Sequence, residues 1–393
     1  MREDGADERQ IFDELCEAGK KDVPYGRVLS SMCTAPHPIA AKAHRTFIRT
    51  NLGDPKLFPG TAAIERKCVE MLGDLLHMPA APGYITTGGT ESNIQALRAA
   101  VLSHGRVDRA KANVIVPESA HYSFEKASQL LGIRLRKAPL DDELRADPAE
   151  MASLIDKHTV ALVAVAGTTE FGQVDPVEEI GKLALESDTY LHVDAAFGGF
   201  VIPFLKGCQP KFDFEVPGVS SIAIDPHKMG MSTIPSGGLL YRDEHLMQPL
   251  EISAQYLTSQ VQTSLAGTRS GASAAATYAV MRYLGRDGYR NIVAQCMDNT
   301  RLLVDLLSDL GLQPVIEPVL NIAAFHAPAR ASGRTSGPQG DPQGDPQGIR
   351  KRLCDYNWYV STTVRPCALR MVVMPHVSED VVRAFAADLK KVL

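Results

Sequence analysis

Between about residues 112 and 240, short β-branched apolar runs alternate with amphipathic stretches of helical period. Strands are expected at Asn113–Val116, Ile133–Lys137, Val160–Ala166, Thr189–Val193, Ser221–Ile224 and Gly238–Tyr241. Helices are expected near 122–131, 148–157 and 176–187. This alternation predicts an α/β fold, a mostly parallel central sheet flanked by helices on both faces.

The flanks read differently. Residues 1–20 suit a short amphipathic helix with Ile11, Phe12, Leu15 and Cys16 on one face, and residues 21–60 are loop-rich around a helix at about 38–50. Ala62, Ile64, Cys68, Met71, Leu72 and Leu75 recur at helical spacing over 61–78. Helices are expected over 272–285 and 286–310, then a smaller α+β region with a helix near 349–357 and strands near 358–364 and 368–373. The chain divides into an N-terminal segment (1–50), a large domain (51–285) and a small C-terminal domain (286–393). A tandem Asp-Pro-Gln-Gly repeat within 329–348 cannot bury apolar area and reads as a flexible surface insert.

Composition narrows the class. With 393 residues, 45% apolar and 22% charged, the chain has the make-up of an ordinary globular protein. A net charge of −5 gives no reason to propose nucleic acid or a membrane as partner. Seven scattered cysteines without a CxxC pair argue for reduced thiols in a cytoplasm, against a disulfide framework or a metal site. No secretory leader is visible, and no apolar run reaches the ~18 residues of a membrane span.

Candidate chemistry sits where the strands stop, the edge at which open α/β sheets bind ligands. The run 221–224 ends in Asp225-Pro226-His227-Lys228, and a partly desolvated lysine there is a candidate Schiff-base nucleophile, or else a solvated surface residue. The run 189–193 delivers Asp194, followed by small residues that leave room for a flat ring. It is a candidate partner for a pyridinium nitrogen, or a helix cap.

Gly88, Gly89 and Thr90 between a strand and a helix have the layout of an anion cup, or of a plain glycine-rich turn. His121 and Thr169 also follow strands; His121 could stack on a ring or be a loop histidine. Leu265–Gly271 is a second loop leading into a helix. Arg370, inside an apolar strand, needs a partner, either a substrate carboxylate or a structural ion pair. His37 and Asn51 lie in polar loops of the kind that line sites.

Three segments carry a resemblance: Thr87-Gly88-Gly89-Thr90-Glu91-Ser92-Asn93, His192-Val193-Asp194-Ala195-Ala196-Phe197-Gly198-Gly199 and Asp225-Pro226-His227-Lys228-Met229-Gly230. They resemble the group II decarboxylases dependent on pyridoxal 5′-phosphate (PLP), of fold type I, most closely the archaeal L-tyrosine/L-aspartate decarboxylases. Asn51-Leu52-Gly53-Asp54-Pro55 and Phe58-Pro59-Gly60-Thr61 fit the same pattern.

The resemblance implies that Lys228 carries PLP, Asp194 binds the ring nitrogen, Ala196 packs under the ring and His121 stacks on its other face. It implies Gly89, Thr90 and His227 at the phosphate, with Thr169 among the cofactor-binding residues. Gly267 and Thr268 would reach the phosphate from a second subunit, in a homodimer with active sites at the interface. Arg370 would take the substrate α-carboxylate, Asn51 and His37 are grouped with it as substrate-binding, and Tyr256 would protonate Cα. The implied activity is decarboxylation of tyrosine to tyramine or of aspartate to β-alanine, for methanofuran or coenzyme A synthesis. A carbon–carbon lyase of the sphingosine-phosphate lyase type and a non-catalytic phosphate- or nucleotide-binding module are the alternatives. A dicarboxylic substrate would call on Arg27, Arg45 or Arg49, and a phenol on Met32, Leu52 and Phe58.

Overall fold

The structure, a computed structural model, describes residues 1, 3–104, 108, 110–207, 209–328 and 344–393. Most of the expected insert, residues 329–343, lies outside the described residues, as does Cys208. The other six cysteines carry free thiols.

Seven strands build the large sheet: β1 (Gly83–Thr86), β2 (Asn113–Pro117), β3 (Arg134–Ala138), β4 (Thr159–Val165), β5 (Tyr190–Ala195), β6 (Ser221–Ile224) and β7 (Gly237–Tyr241). Their spatial order is β1-β7-β6-β5-β4-β2-β3. The run from β6 to β3 is parallel, whereas β7 pairs antiparallel with both β6 and β1. The four interior parallel strands β2, β4, β5 and β6 are buried at every position, the burial expected of strands covered on both faces. Edge strand β3 instead exposes Arg134 and Lys137, charges that discourage pairing with another edge.

The helix expected over 148–157 stops at Leu154. Asp156 ends it by accepting the His158 N–H at 2.8 Å and the Asn113 side-chain amide at 2.9 Å, which builds a turn. The helices expected at 272–285 and 286–310 run as Gly271–Asp309 with a break at Gly285, whose φ of 57° suits glycine.

A hairpin, β8 (Ile252–Ser253) and β9 (Val261–Gln262), follows the large sheet. The second sheet has the order β10-β11-β13-β12, with β10 Gln313–Pro314, β11 Ile322–His326, β12 Ser361–Thr362 and β13 Leu369–Val372, all antiparallel. The strand expected over 358–364 is therefore only the short β12. Leu303, Leu307, Trp358 and Phe385 pack in the core beside this sheet. The N-terminal segment joins the two units. Leu29 bonds to Tyr359 and Val372 of the small unit, and His37 N–H donates to the Met231 carbonyl of the large one.

The first helix, Glu8–Gly19, is capped by Asp7 and buries none of its residues, so its apolar face Ile11, Phe12 and Leu15 stays exposed. Among the described residues no helix is long and apolar enough to cross a membrane.

Candidate active site

A cavity of about 260 Å³ opens where β4, β5 and β6 end, and its walls hold Lys228, Asp194, His121, Thr90, Thr169 and Ala196 together. Each is delivered by a strand that stops, which is why residues so far apart in the chain meet there.

β6 runs straight into the turn that presents the amine. Lys228 N–H closes this turn on the Asp225 carbonyl at 3.1 Å. Its Nζ lies 3.4 Å from Asp225 Oδ2, with the lysine side chain 19% exposed. His227 Nε2 lies 3.8 Å from the same carboxylate oxygen, and its Nδ1 is 2.6 Å from the Ser236 carbonyl oxygen. Asp225 lines the cavity, and its Oδ1 is buried without a partner.

β5 delivers Asp194, which is fixed from two sides. Its Oδ1 accepts from Ala196 N–H at 3.1 Å and its Oδ2 from Asn93 Nδ2 at 2.8 Å. Asn93 also donates to Ser123 Oγ at 2.9 Å, and its own Oδ1 lies 2.9 Å from His192 Nε2. Burial pulls the His192 imidazole down to about 4, so it is neutral. The network then assigns its proton to Nε2, donating to Asn93, while Nδ1 at 2.8 Å accepts from the Ser221 hydroxyl. Asn93 and His192 are supporting residues that sequence reasoning missed. A signal existed: His192 sits two positions before Asp194, on the same face of an otherwise apolar strand.

The cup lies between β1 and the helix Gly89–Ser103. Gly88 has φ 144°, and a Cβ there would come within 2.8 Å of the His227 ring. A Cβ on Gly89 would stand 3.0 Å from Ala196 Cβ. No side chain caps this helix, so its first N–H groups are left for a ligand at the positive end of the helix dipole. Glu91 braces the turn by accepting from Thr87 N–H at 2.8 Å and the Thr87 hydroxyl at 2.7 Å. His121, beyond β2, accepts the Ser123 N–H at its Nδ1 at 3.3 Å. Burial lowers its pKa below the ordinary histidine value, opposed by the Asp194 charge.

Arg370 lies in β13, 6% exposed, and does not line the cavity. Its Nη1 donates to the Ser30 carbonyl at 3.1 Å and Ser361 Oγ at 3.0 Å, while Nε and Nη2 are buried without partners. It forms no ion pair among the described residues, so the structural-pair alternative is not what β13 shows. Burial pulls its pKa to about 10, against the opposing influence of Glu170.

Other expected residues stand elsewhere. Asn51 Oδ1 is taken by Gly53 N–H at 2.7 Å and Arg269 N–H at 3.2 Å, which makes it a loop-shaping residue in this chain. His37 caps the helix Pro38–Phe47 through Ile39 N–H at 3.3 Å and packs 4.9 Å from the Tyr283 ring. Neither lines the cavity, and the polar atoms named are taken by backbone N–H groups. Tyr256 is 90% exposed in the β8–β9 loop, and Gly267 and Thr268 also lie outside the cavity of their own chain. Arg27 stacks over the Trp358 ring at 4.4 Å beside Asp388, and is committed there. Of the apolar trio Met32, Leu52 and Phe58, Met32 alone lines the cavity.

An uncapped helix end behind two glycines suits a phosphate, and a braced carboxylate suits a ring nitrogen. An amine stands ready for a carbonyl. The residues present thus fit PLP, and fold and site together define a PLP-dependent enzyme of the fold type I architecture. The pyridoxal-dependent decarboxylase conserved domain matches residues 32–317, so the chain belongs to that family of carboxy-lyases, with PLP as cofactor.

The chain is 70% identical, over all of both chains, to a probable L-tyrosine/L-aspartate decarboxylase of Methanocella arvoryzae. It is 52% identical to a protein of the same description from Methanothrix thermoacetophila, covering 100% of this chain and 97% of that one. Among solved structures it resembles a sphingosine-1-phosphate lyase of Burkholderia pseudomallei, with a TM-score of 0.89 and 27% identity, covering 100% of this chain and 91% of that one.

Proposed function

We propose that this enzyme decarboxylates L-tyrosine to tyramine, L-aspartate to β-alanine, or both. The observation that carries the reading is the meeting of Lys228 and Asp194 in one cavity; Arg370, a buried guanidinium with one edge unpartnered, is the candidate partner for a substrate α-carboxylate. The full-length relatives named for this activity support the choice of substrates. Tyramine would serve methanofuran synthesis and β-alanine coenzyme A synthesis.

Bound PLP supplies a carbonyl for the substrate amine and a protonated ring that accepts electrons from a bond breaking at Cα. Asp194, braced by Asn93 and Ala196, holds the proton at the ring nitrogen. Gly89, Thr90 and His227 would hold the phosphate, and Thr169, Ala196 and His121, which line the same cavity, would hold the ring. Lys228 Nζ, 3.4 Å from Asp225 Oδ2, is the amine that would hold the cofactor's carbonyl carbon. Arg370 holds the α-carboxylate so that the Cα–carboxylate bond is the one that breaks.

The working unit is a homodimer. Tyr256, Gly267 and Thr268 do not line the cavity of their own chain, and we place them at the cavity of a second copy, with the Tyr256 hydroxyl as the acid that protonates Cα. The lyase alternative rests on a shared fold at 27% identity, set against 70% to a relative named as a decarboxylase. A non-catalytic phosphate binder would have no use for Lys228 and Asp194 in one cavity.

Amine product analysis over a panel of amino acids tests the proposal. Tyramine or β-alanine with stoichiometric CO2 is expected. Aldehyde released from a phosphorylated long-chain amine, with no CO2 from any amino acid, would overturn it.

A further inference from the structure

We infer that Asn51 and Asp54 are positioning residues that clamp residues 254–269, the segment that completes the cavity of a second copy. The inference rests on the reading above that Tyr256, Gly267 and Thr268 act in trans.

The segment cannot orient itself. Strands β8 and β9 have two residues each, and a ribbon that short is not stable alone. No apolar face holds it down either, since Ile252 is 57% exposed, Val261 41% and Tyr256 90%. Four consecutive residues from far upstream grip it at both ends, and between them Gln95 Nε2 donates to the Thr263 carbonyl at 3.0 Å.

Asp54, buried, accepts the Thr258 N–H at 2.9 Å, the Thr258 hydroxyl and the Ser259 N–H at 3.3 Å. These bonds hold its carboxyl below the usual range. The grip is applied two residues from Tyr256.

At the other end of the segment, Asn51 Oδ1 accepts Arg269 N–H, Leu52 N–H donates to the Arg269 carbonyl at 2.8 Å, and Arg269 Nη2 donates back to the Leu52 carbonyl at 3.1 Å. Arg269 is itself tied to the Glu65 carboxylate. Gly53 lies so close to the Gly267 carbonyl that a Cβ there would fall 2.0 Å from its oxygen. Residues 51–54 thus touch both the Tyr256 hairpin and the Gly267–Thr268 loop, and none of them lines the chain's own cavity.

A clamp of this kind fixes side chains that function only in another molecule, so its loss is repairable by that molecule. Hybrid dimers test this. Asp54→Ala homodimers should lose roughly ten- to a hundred-fold in kcat, the range for hydrogen bonds to a charged group, with KM nearly unchanged. Lys228→Ala homodimers should be inactive.

In the purified Asp54→Ala/Lys228→Ala hybrid, one cavity pairs an intact Lys228 with an intact clamp, and about half the wild-type activity should return. A Tyr256→Phe/Lys228→Ala hybrid should recover likewise. If that control does not recover, the trans reading falls and the clamp with it. If it recovers while the Asp54→Ala hybrid stays at the Asp54→Ala level, the clamp alone is overturned.

A readout independent of turnover is hydrogen exchange in cofactor-free protein. It should rise over residues 252–262 in Asp54→Ala and stay unchanged in β4–β6. Unchanged exchange over the hairpin overturns the clamp. Should Asp54→Ala fail to fold, Thr258→Val, which removes one of the three donors, carries the same measurements with smaller changes expected.

Discussion

The cofactor cup and the 251–270 segment both carry candidate catalytic groups, yet they are held in opposite ways. Asp194 is 6% exposed, and its anchor Asn93 is 1% exposed, in a bonded chain that continues through His192 to Ser221. Tyr256 stands 90% exposed, and its loop is gripped through Thr258 and Ser259. A group that works on a ligand of its own chain can be locked by surrounding core. On the proposed trans reading, Tyr256 has to project from the surface, and its order comes from hydrogen bonds to the loop backbone beside it.

Experiments that break the comparison begin with Lys228. Lys228→Ala should abolish turnover by about four orders of magnitude or more, as removal of a covalent nucleophile does, and should erase the visible absorbance of the lysine-bound cofactor. Retention of both by the variant, read by absorbance and CO2 release, would remove the cup's central residue.

Arg370→Leu should raise KM by roughly ten- to a hundred-fold, the effect of one charge-assisted pair, with a smaller change in kcat and none in the cofactor spectrum. Steady-state kinetics with tyrosine and aspartate measure it, and an unchanged KM would sink the α-carboxylate assignment.

Asn93→Leu should cost a further, smaller amount. A buried carboxylate that loses one donor is destabilised by about 1–3 kcal/mol, so weaker cofactor binding and a lower melting temperature are expected. Thermal melts with and without PLP report it, and no change in either would show that Asp194 does not depend on its brace.

The smallest expected effect is a pH dependence at His121. Burial depresses its folded pKa below the unfolded histidine value of about 6.5. Its neutral form therefore contributes stability that is fully present above about pH 6.5 and is lost as pH falls through the lower folded pKa. Cofactor retention should fall off on acidification below the ordinary histidine range, and His121→Gln should flatten that limb. A wild-type acid limb unchanged in His121→Gln would assign the titration to another group.

Much of the cup is legible in the residue order because each of its groups follows a buried strand, and apolar runs mark where strands stop. Lys228, Asp194 and Gly89 follow that rule, and the seven-stranded sheet brings them to one edge. Asn93 and His192 escape it because their roles lie in bonds to residues about a hundred positions apart. For Asn51 and His37 the residue order is less informative, since a polar loop residue has the same composition signature whether it meets a ligand or backbone.

By itself, then, the sequence determined the alternation of elements, the chemical types at the strand ends and hence the cofactor, since periodicity and local turn chemistry are properties of neighbours in the chain. Only the tertiary structure decided that Arg370 keeps an unpartnered buried edge, that Arg27 is committed to Trp358, and that Tyr256 stands exposed outside the lining of its own cavity. Those outcomes depend on which distant groups arrive within hydrogen-bonding reach, and no local pattern encodes that.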